Sequence, residues 1–260
     1  MQIRLDGKIA LVTGASSGIG QAIARALADS GAHVAINYIV HPEAADATVQ
    51  GIGDAGGVAL AVQADVADAD AVQAMFEQVG RELGPVDILI NCAGIDGKPA
   101  LSWESDLAAW RKVIEVNLFG TMHCSRLALQ TMVARRNGVI LNISSVHETI
   151  AWSGYSAYTA SKAAVAMMTK TMAQEAAPFG VRVLAVAPGA IQTDINKSVW
   201  SEPAQLRDLI DKIPLGRMGQ VQDIAGLVTV LVSDAGAYVT GTTVFADGGM
   251  TDYPDFAHGG

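Results

Sequence analysis

Short β-branched runs that alternate with alanine-rich amphipathic stretches leave this chain few ways to fold. The runs at 9–13, 33–38, 60–65, 86–91, 139–144, 182–187 and 242–245 are mostly apolar at nearly every position, as strands buried on both faces of a parallel sheet require. Between them, the stretches 19–30, 44–55, 69–83, 107–135, 155–178 and 221–233 repeat apolar residues at helical spacing. A strand, a crossover helix and the next parallel strand form a right-handed unit. Its repetition predicts an α/β fold: one doubly wound, Rossmann-like sheet of seven parallel strands flanked by helices. No linker or composition shift divides the 260 residues, so a single domain, 1–260, is expected. The least regular stretch, 190–219, holds Thr193, Asn196, Trp200, Pro203 and Pro214. It follows the sixth strand, where loops of such sheets meet ligands, and reads as a substrate lid. An ordered surface helix pair is the plainer alternative.

Charge and cysteine usage narrow the partners. With 17 Lys and Arg against 26 Asp and Glu, the net charge is −9, which repels a phosphate backbone, so no nucleic-acid partner is expected. No basic run suits a membrane surface and no apolar run is long enough to span one. The first apolar run is too short for a secretory signal. Cys92 and Cys124 lie in no zinc or redox spacing. They are expected as reduced thiols of a cytoplasmic protein, with no metal.

The first strand runs into Thr13-Gly14-Ala15-Ser16-Ser17-Gly18-Ile19-Gly20 and then into a helix. Glycines there permit a tight turn and close backbone approach to a pyrophosphate. The helix start adds free N–H groups and the positive end of its dipole. A glycine-rich turn alone is weak evidence, but its place at the first strand–helix junction favours a dinucleotide. Further on, Tyr158 and Lys162 stand four apart on a predicted helix and share a face. Ser145 follows the fifth strand, and Asn117 sits in the helical stretch after the fourth. Alcohol oxidation needs a base for the hydroxyl proton as the hydride leaves. Free tyrosine has a pKa of about 10; lowering it by ~3 units takes roughly 4 kcal/mol, for which the Lys162 ammonium and a cationic nicotinamide are the expected sources.

The glycine spacing, Asn91-Cys92-Ala93-Gly94 after the fourth strand and the Asn117, Ser145, Tyr158, Lys162 set together resemble the short-chain dehydrogenase/reductase family over essentially the whole chain. Cys92 stands where that family has a second asparagine. The resemblance implies a catalytic tetrad of Asn117, Ser145, Tyr158 and Lys162. Tyr158 would be the base, Ser145 would orient the substrate oxygen, Lys162 would hold the nicotinamide ribose, and Asn117 would fix a water that relays the proton. Cofactor contacts are implied at Gly14, Ser16, Ser17, Gly18, Ile19, Gly20, Asn37, Asp65, Val66, Asn91, Ala93, Gly94, Tyr158, Lys162, Pro188, Gly189, Ile191 and Thr193. The second strand ends in Asn37-Tyr38, followed by Ile39-Val40-His41. It offers neither an acid to reject a 2′-phosphate nor a lysine or arginine to bind one. NAD is the expected cofactor, with NADP tolerated.

Within the family, Ser144-Ser145-Val146-His147-Glu148, the stretch 188–196, and the segments 238–241, 245–251 and 253–254 are most similar to the bacterial glucose 1-dehydrogenase subgroup. That likeness implies substrate contacts from Asp96 (where a glutamate is usual), Ser145, His147, Tyr158 and Asn196. It also implies oxidation of an aldose such as glucose at C1 to its lactone. The segment 152–157 and Ile39 depart from the subgroup. Two alternatives stand beside the sugar reading: a 3-oxoacyl or other carbonyl reductase with Tyr158 as acid, and a non-catalytic nucleotide-binding protein. The family commonly forms homotetramers. Met167, Met168 and Met172 in the 155–178 helix and the aromatics of 253–256 would suit such interfaces, although methionines also fill cores readily.

Overall fold

The computed structural model describes residues 3–252; the 253–256 aromatics lie outside them. Strand β1 (Ile9–Val12) is buried along its whole length and pairs in parallel with β2 (His33–Tyr38) on one side and β4 (Ile88–Asn91) on the other. With β3 (Val58–Gln63), β5 (Gly138–Ile143), β6 (Val181–Pro188) and β7 (Thr243–Ala246), the sheet runs β3-β2-β1-β4-β5-β6-β7, parallel throughout. This is the seven-stranded doubly wound sheet expected from the alternation of runs.

Strand side chains alternate between two cores, as the two-residue period demands. Val12, Ile36, Ile90, Leu141 and Val186 pack with Ile23 and Leu27 of α1 (Gly18–Asp29) and Ile224 and Val228 of α9 (Val221–Val232). On the other face, Leu11, Ala35, Leu89, Ile140 and Val183 meet α3 (Ala69–Glu82), α5 (Gly120–Arg135) and α6 (Ser156–Ala176). Helix α2 (Pro42–Asp54) links β2 to β3. The strand order reverses between β1 and β4, which opens a crevice beyond their carboxyl ends.

Two regions differ from expectation. The predicted helix 107–135 is broken into α4 (Leu107–Ile114), a π-turn at Glu115–Phe119, and α5. The Gly120 N–H reaches the Glu115 carbonyl, one residue further back than in an α-helix. A side chain on Gly120 would meet Val66 at 2.7 Å, so this helix lies against the β3–α3 turn. Such π-turns recur at functional sites, and this one carries Asn117. In the stretch 190–219 the chain forms α7 (Lys197–Trp200) and α8 (Pro203–Ile210). Its two ends are pinned together: Gln192 N–H donates to Gly219 O at 2.9 Å, and Gly219 N–H to Ala190 O at 2.9 Å. Among the described residues, no helix is long and apolar enough to cross a membrane.

Candidate active site

The glycine loop lines the crevice from the β1 side. Gly14 has φ +63°, and a Cβ there would lie 2.9 Å from Ala93 Cα. Gly20 sits so close beneath the loop that a Cβ would be 2.5 Å from Gly14 O. Gly18, at φ +54°, faces Thr193 across the crevice. Ser17 begins α1 without a side-chain cap, so the first-turn N–H groups keep their affinity for an anion. Thr13 couples this loop to the β4 loop: its Oγ1 accepts from the N–H groups of Cys92 and Ala93, both at 3.0 Å. This cradle, which added side chains would fill, fits a dinucleotide pyrophosphate. Gly14, Ser16, Ser17, Gly18, Ile19, Gly20, Ala93, Gly94 and Thr193 border it.

Several expected cofactor residues also brace the crevice through their side chains. Asn37 is 2 % exposed; its Nδ2 donates to Ala64 O at 3.0 Å and its Oδ1 accepts from Gly14 N–H at 3.3 Å. Asn91 is also buried, donating to Asn142 Oδ1 at 2.8 Å and Ser125 Oγ at 3.0 Å. Asp65 accepts from Ala67 N–H at 2.9 Å and pairs with Lys112 at 3.3 Å. Val66 packs inward against Gly120. Pro188 ends β6, Gly189 passes tightly against Asp247, and Ile191 joins the core. The side chains of Asn37, Asn91, Val66 and Ile191 are buried, so a contact from these residues to a cofactor would come from their backbone groups.

Three elements bring the tetrad residues together. Ser145 leaves β5 and starts a short 3-10 turn, its Oγ accepting from His147 N–H at 3.2 Å. Tyr158 lies on the first turn of α6, edge-on to the His147 ring at 6.2 Å, with the Ser145 side chain near enough to favour its phenolate. Lys162, one turn later, is buried; its Nζ donates to Ile143 O at 2.8 Å and lies 5.6 Å from the Tyr158 ring centroid. Asn117 comes from the π-turn. Its Oδ1 accepts from Ile95 N–H at 2.8 Å, while its Nδ2 donates to Ile95 O at 2.9 Å and Ser161 Oγ at 3.0 Å. The Asn117 side chain thus ties the β4 loop to α6. Ser161 and Thr13 complete these links: Ser161 carries no motif signal of its own, and Thr13 heads the glycine loop without a role that its spacing reveals.

Burial dominates the electrostatics. It pushes the Tyr158 hydroxyl up to about 12; the Ser145 hydrogen bond opposes this, and Asp96 and Cys92 add to it. The lowering expected from Lys162 is not seen in the chain alone, where burial is the largest influence on the hydroxyl. Burial lowers the Lys162 ammonium, against the pull of Cys92, Asp96 and Glu148. Burial also raises Asp96, with Lys162 and His147 opposing, and lowers His147, with the Ile150 carbonyl and Asp96 opposing. The Cys92 thiol is pushed up to about 11 by the same cause, so it stays protonated.

Replacing Asp96 with asparagine removes a charge that disfavours the Tyr158 phenolate. A base that loses its proton more readily works at lower pH, so the rising limb of alcohol oxidation should move toward lower pH. An unmoved limb in a full pH–rate profile would place Asp96 outside the field that Tyr158 feels.

Among the expected substrate residues, Ser145, Tyr158, His147 and Asp96 gather at the crevice. Asn196 is also engaged within its own turn. Its Oδ1 accepts from Thr193 N–H at 3.0 Å and its Nδ2 donates to Ile191 O at 2.8 Å, which closes a capping box at the start of the 3-10 turn Asp194–Asn196. The turn needs those partners more than a substrate does, because its own backbone groups would otherwise lack them. Trp200 Nε1 then fastens the turn to Thr193 O at 2.9 Å.

A family model described as enoyl-(acyl carrier protein) reductase matches residues 14–251. The 3β-hydroxysteroid dehydrogenase 1 of Eggerthella lenta is 44% identical over 256 residues, 98% of each chain. Glucose 1-dehydrogenase 2 of Bacillus subtilis is 40% identical over 251 residues, 96% of this chain and 97% of that one. A gluconate 5-dehydrogenase from Burkholderia cenocepacia, solved in complex with NADP and tartrate, superposes with a TM-score of 0.91 at 35% identity, covering 96% of this chain and 98% of that one.

Proposed function

The chain belongs to the short-chain dehydrogenase/reductase family, and from that premise we propose that it oxidises a polyhydroxylated secondary alcohol. In the narrowest form of the reading, the substrate is an aldose such as glucose, oxidised at C1 to the lactone. The observation that carries the reading is the gathering of Ser145, Tyr158 and the buried Lys162 at the crevice, with the Lys162 Nζ 5.6 Å and the His147 ring 6.2 Å from the centroid of the Tyr158 ring and Asp96 beside them. Ser145 and Tyr158 bracket the carbinol oxygen, and Tyr158 takes its proton as the carbon gives up hydride. When bound, the oxidised nicotinamide supplies the hydride acceptor and a positive charge that favours the Tyr158 phenolate. Lys162 and Thr193 would hold its ribose and pyrophosphate sides. His147 and Asp96 supply polar partners for further hydroxyls, which a buried polyol requires. The relatives named for glucose and gluconate support a polyol, and the one named for a hydroxysteroid shares only the carbinol.

The protonation of Tyr158 favours a second reading. A hydroxyl pushed up to about 12 carries its proton at neutral pH, so Tyr158 can give that proton to the alkoxide that forms as hydride reaches a carbonyl, as in a 3-oxoacyl reductase. A purely nucleotide-binding role would leave the Ser145–Tyr158 pair without a task. Assays with aldoses, polyols and mono-alcohols, following nicotinamide reduction by absorbance, decide the matter. Turnover of glucose or a close epimer is the expected result. Silence on every alcohol, with reduction of ketones or 3-oxoacyl thioesters, overturns the first reading in favour of the second.

We assign NAD as the preferred acceptor. Ile39 and Val40 are exposed at the end of β2, and His41 is paired with Glu43 at 3.1 Å. A dianionic 2′-phosphate would meet an apolar ledge and a carboxylate. An Ile39→Arg variant should raise the NADP-to-NAD ratio of kcat/KM by about tenfold, the scale of one charge-assisted hydrogen bond. An unchanged ratio would mean that the 2′-position is read elsewhere.

We also assign a cytoplasmic homotetramer. Phe119, Met122 and Met167 are exposed about α5 and α6, and Val230, Tyr238 and Phe245 around α9 and β7. A second copy on each face would cover them. The mass in solution should be about four times the 26.9 kDa chain; a monomer would contradict it.

A further inference from the structure

The loop between the two catalytic hydroxyls is built around one indole that the reaction above does not use. Trp152 stacks on Tyr155 at 3.8 Å between centroids and on His147 at 4.5 Å, with interplanar angles of 24° and 15°. It also stands edge-on to Tyr158 at 5.9 Å and 82°. Three rings thus form a ladder that joins the turn after Ser145 to the start of α6. The ladder is fastened from outside: Ala100 N–H donates to Gly154 O at 2.9 Å, which ties this loop to the loop that carries Asp96.

The His147 ring gains a defined polarity from this setting. Its Nδ1 lies 3.0 Å from Ile150 O. A carbonyl can only accept, so Nδ1 carries the proton and Nε2 of the neutral ring is left as an acceptor. We infer that Trp152 is a positioning residue, which holds His147 as a fixed acceptor for a second hydroxyl of the substrate. The inference rests on the alcohol-oxidation reading and narrows its substrate class to alcohols with a neighbouring hydroxyl donor. A mono-alcohol gains nothing from the acceptor, and a neighbouring ether or ketone has no proton to give it.

The test compares Trp152→Ala and Trp152→Phe with the parent enzyme on the best polyol found and on cyclohexanol. Trp152→Ala should lower kcat/KM for the polyol about tenfold, the loss of roughly one hydrogen bond, and leave cyclohexanol within about twofold. Phenylalanine retains a stacking face and should restore most of the loss. In a His147→Ala background, Trp152→Ala should cost the polyol nothing further, because the two residues act as one unit. Binding of NADH, read by its fluorescence, should be unchanged in all variants, which separates the effect from misfolding. Equal losses on both alcohols, or a full additional loss in the His147→Ala background, would overturn the inference while leaving alcohol oxidation in place. No turnover of any alcohol by the parent would remove both.

Discussion

A Tyr158→Phe variant should lose roughly 10²–10⁴ in kcat, the range expected when a positioned general base is removed, while its affinity for the dinucleotide stays near that of the parent. Only the hydroxyl is lost. The ring keeps its contacts with Trp152 and His147, and Lys162 keeps its bond to Ile143 O, so neither the fold nor the nucleotide cradle is disturbed. Ser145 remains to orient the substrate oxygen, its Oγ accepting from the His147 N–H at 3.2 Å, but a serine hydroxyl is too weak a base to take the proton itself. Steady-state rates alongside NADH titration check this. Robust residual turnover would show that another group takes the proton.

The second large effect is expected at Gly20. A Cβ there would sit 2.5 Å from Gly14 O, 3.0 Å from Gly14 C and 3.1 Å from Ala15 Cα. These are backbone atoms of the loop itself, so they cannot swing aside as the end of a flexible side chain would. A Gly20→Val substitution must therefore push the loop outward and tilt the α1 N-terminus away from a bound pyrophosphate. The loss of two charge-assisted backbone hydrogen bonds, about 1.5 kcal/mol each, weakens dinucleotide binding by roughly 10²-fold. Calorimetric titration with NADH measures it, and a thermal melt shows whether the sheet survives. Parent-like affinity would mean that the pyrophosphate does not lie in this loop.

These two positions show what can be read from the chain before its structure is known. The glycine loop and the Tyr158–Lys162 pair are legible because their chemistry rests on spacing along one element, and sequence displays spacing directly. The sheet is legible for a related reason: β1, β5 and β6 are buried on both faces, and continuous apolar runs record that. The π-turn is different. It inserts a residue without breaking the apolar pattern of 107–135, so the period alone reads as one helix. The bracing roles of Asn196 and Asn37 are hidden for another reason. A polar side chain in a loop suits a ligand and a cap equally well, and only the position of Thr193, Ile191, Gly14 and Ala64 around them decides it. The state of Tyr158 is the least legible of all. Sequence shows the neighbouring Lys162, whereas the raised hydroxyl follows from burial, which belongs to the assembled fold.

The account stands on hydride transfer from a carbinol carbon to a nicotinamide in this crevice, and label transfer tests it most directly. The parent enzyme is incubated with NAD and glucose carrying deuterium at C1, and the reduced dinucleotide is examined by mass spectrometry, with a panel of deuterated secondary alcohols in parallel. The account predicts deuterium in the NADH formed from glucose or a close epimer, and essentially none with Tyr158→Phe. Unlabelled NADH from every deuterated alcohol, or no NADH at all, would contradict it.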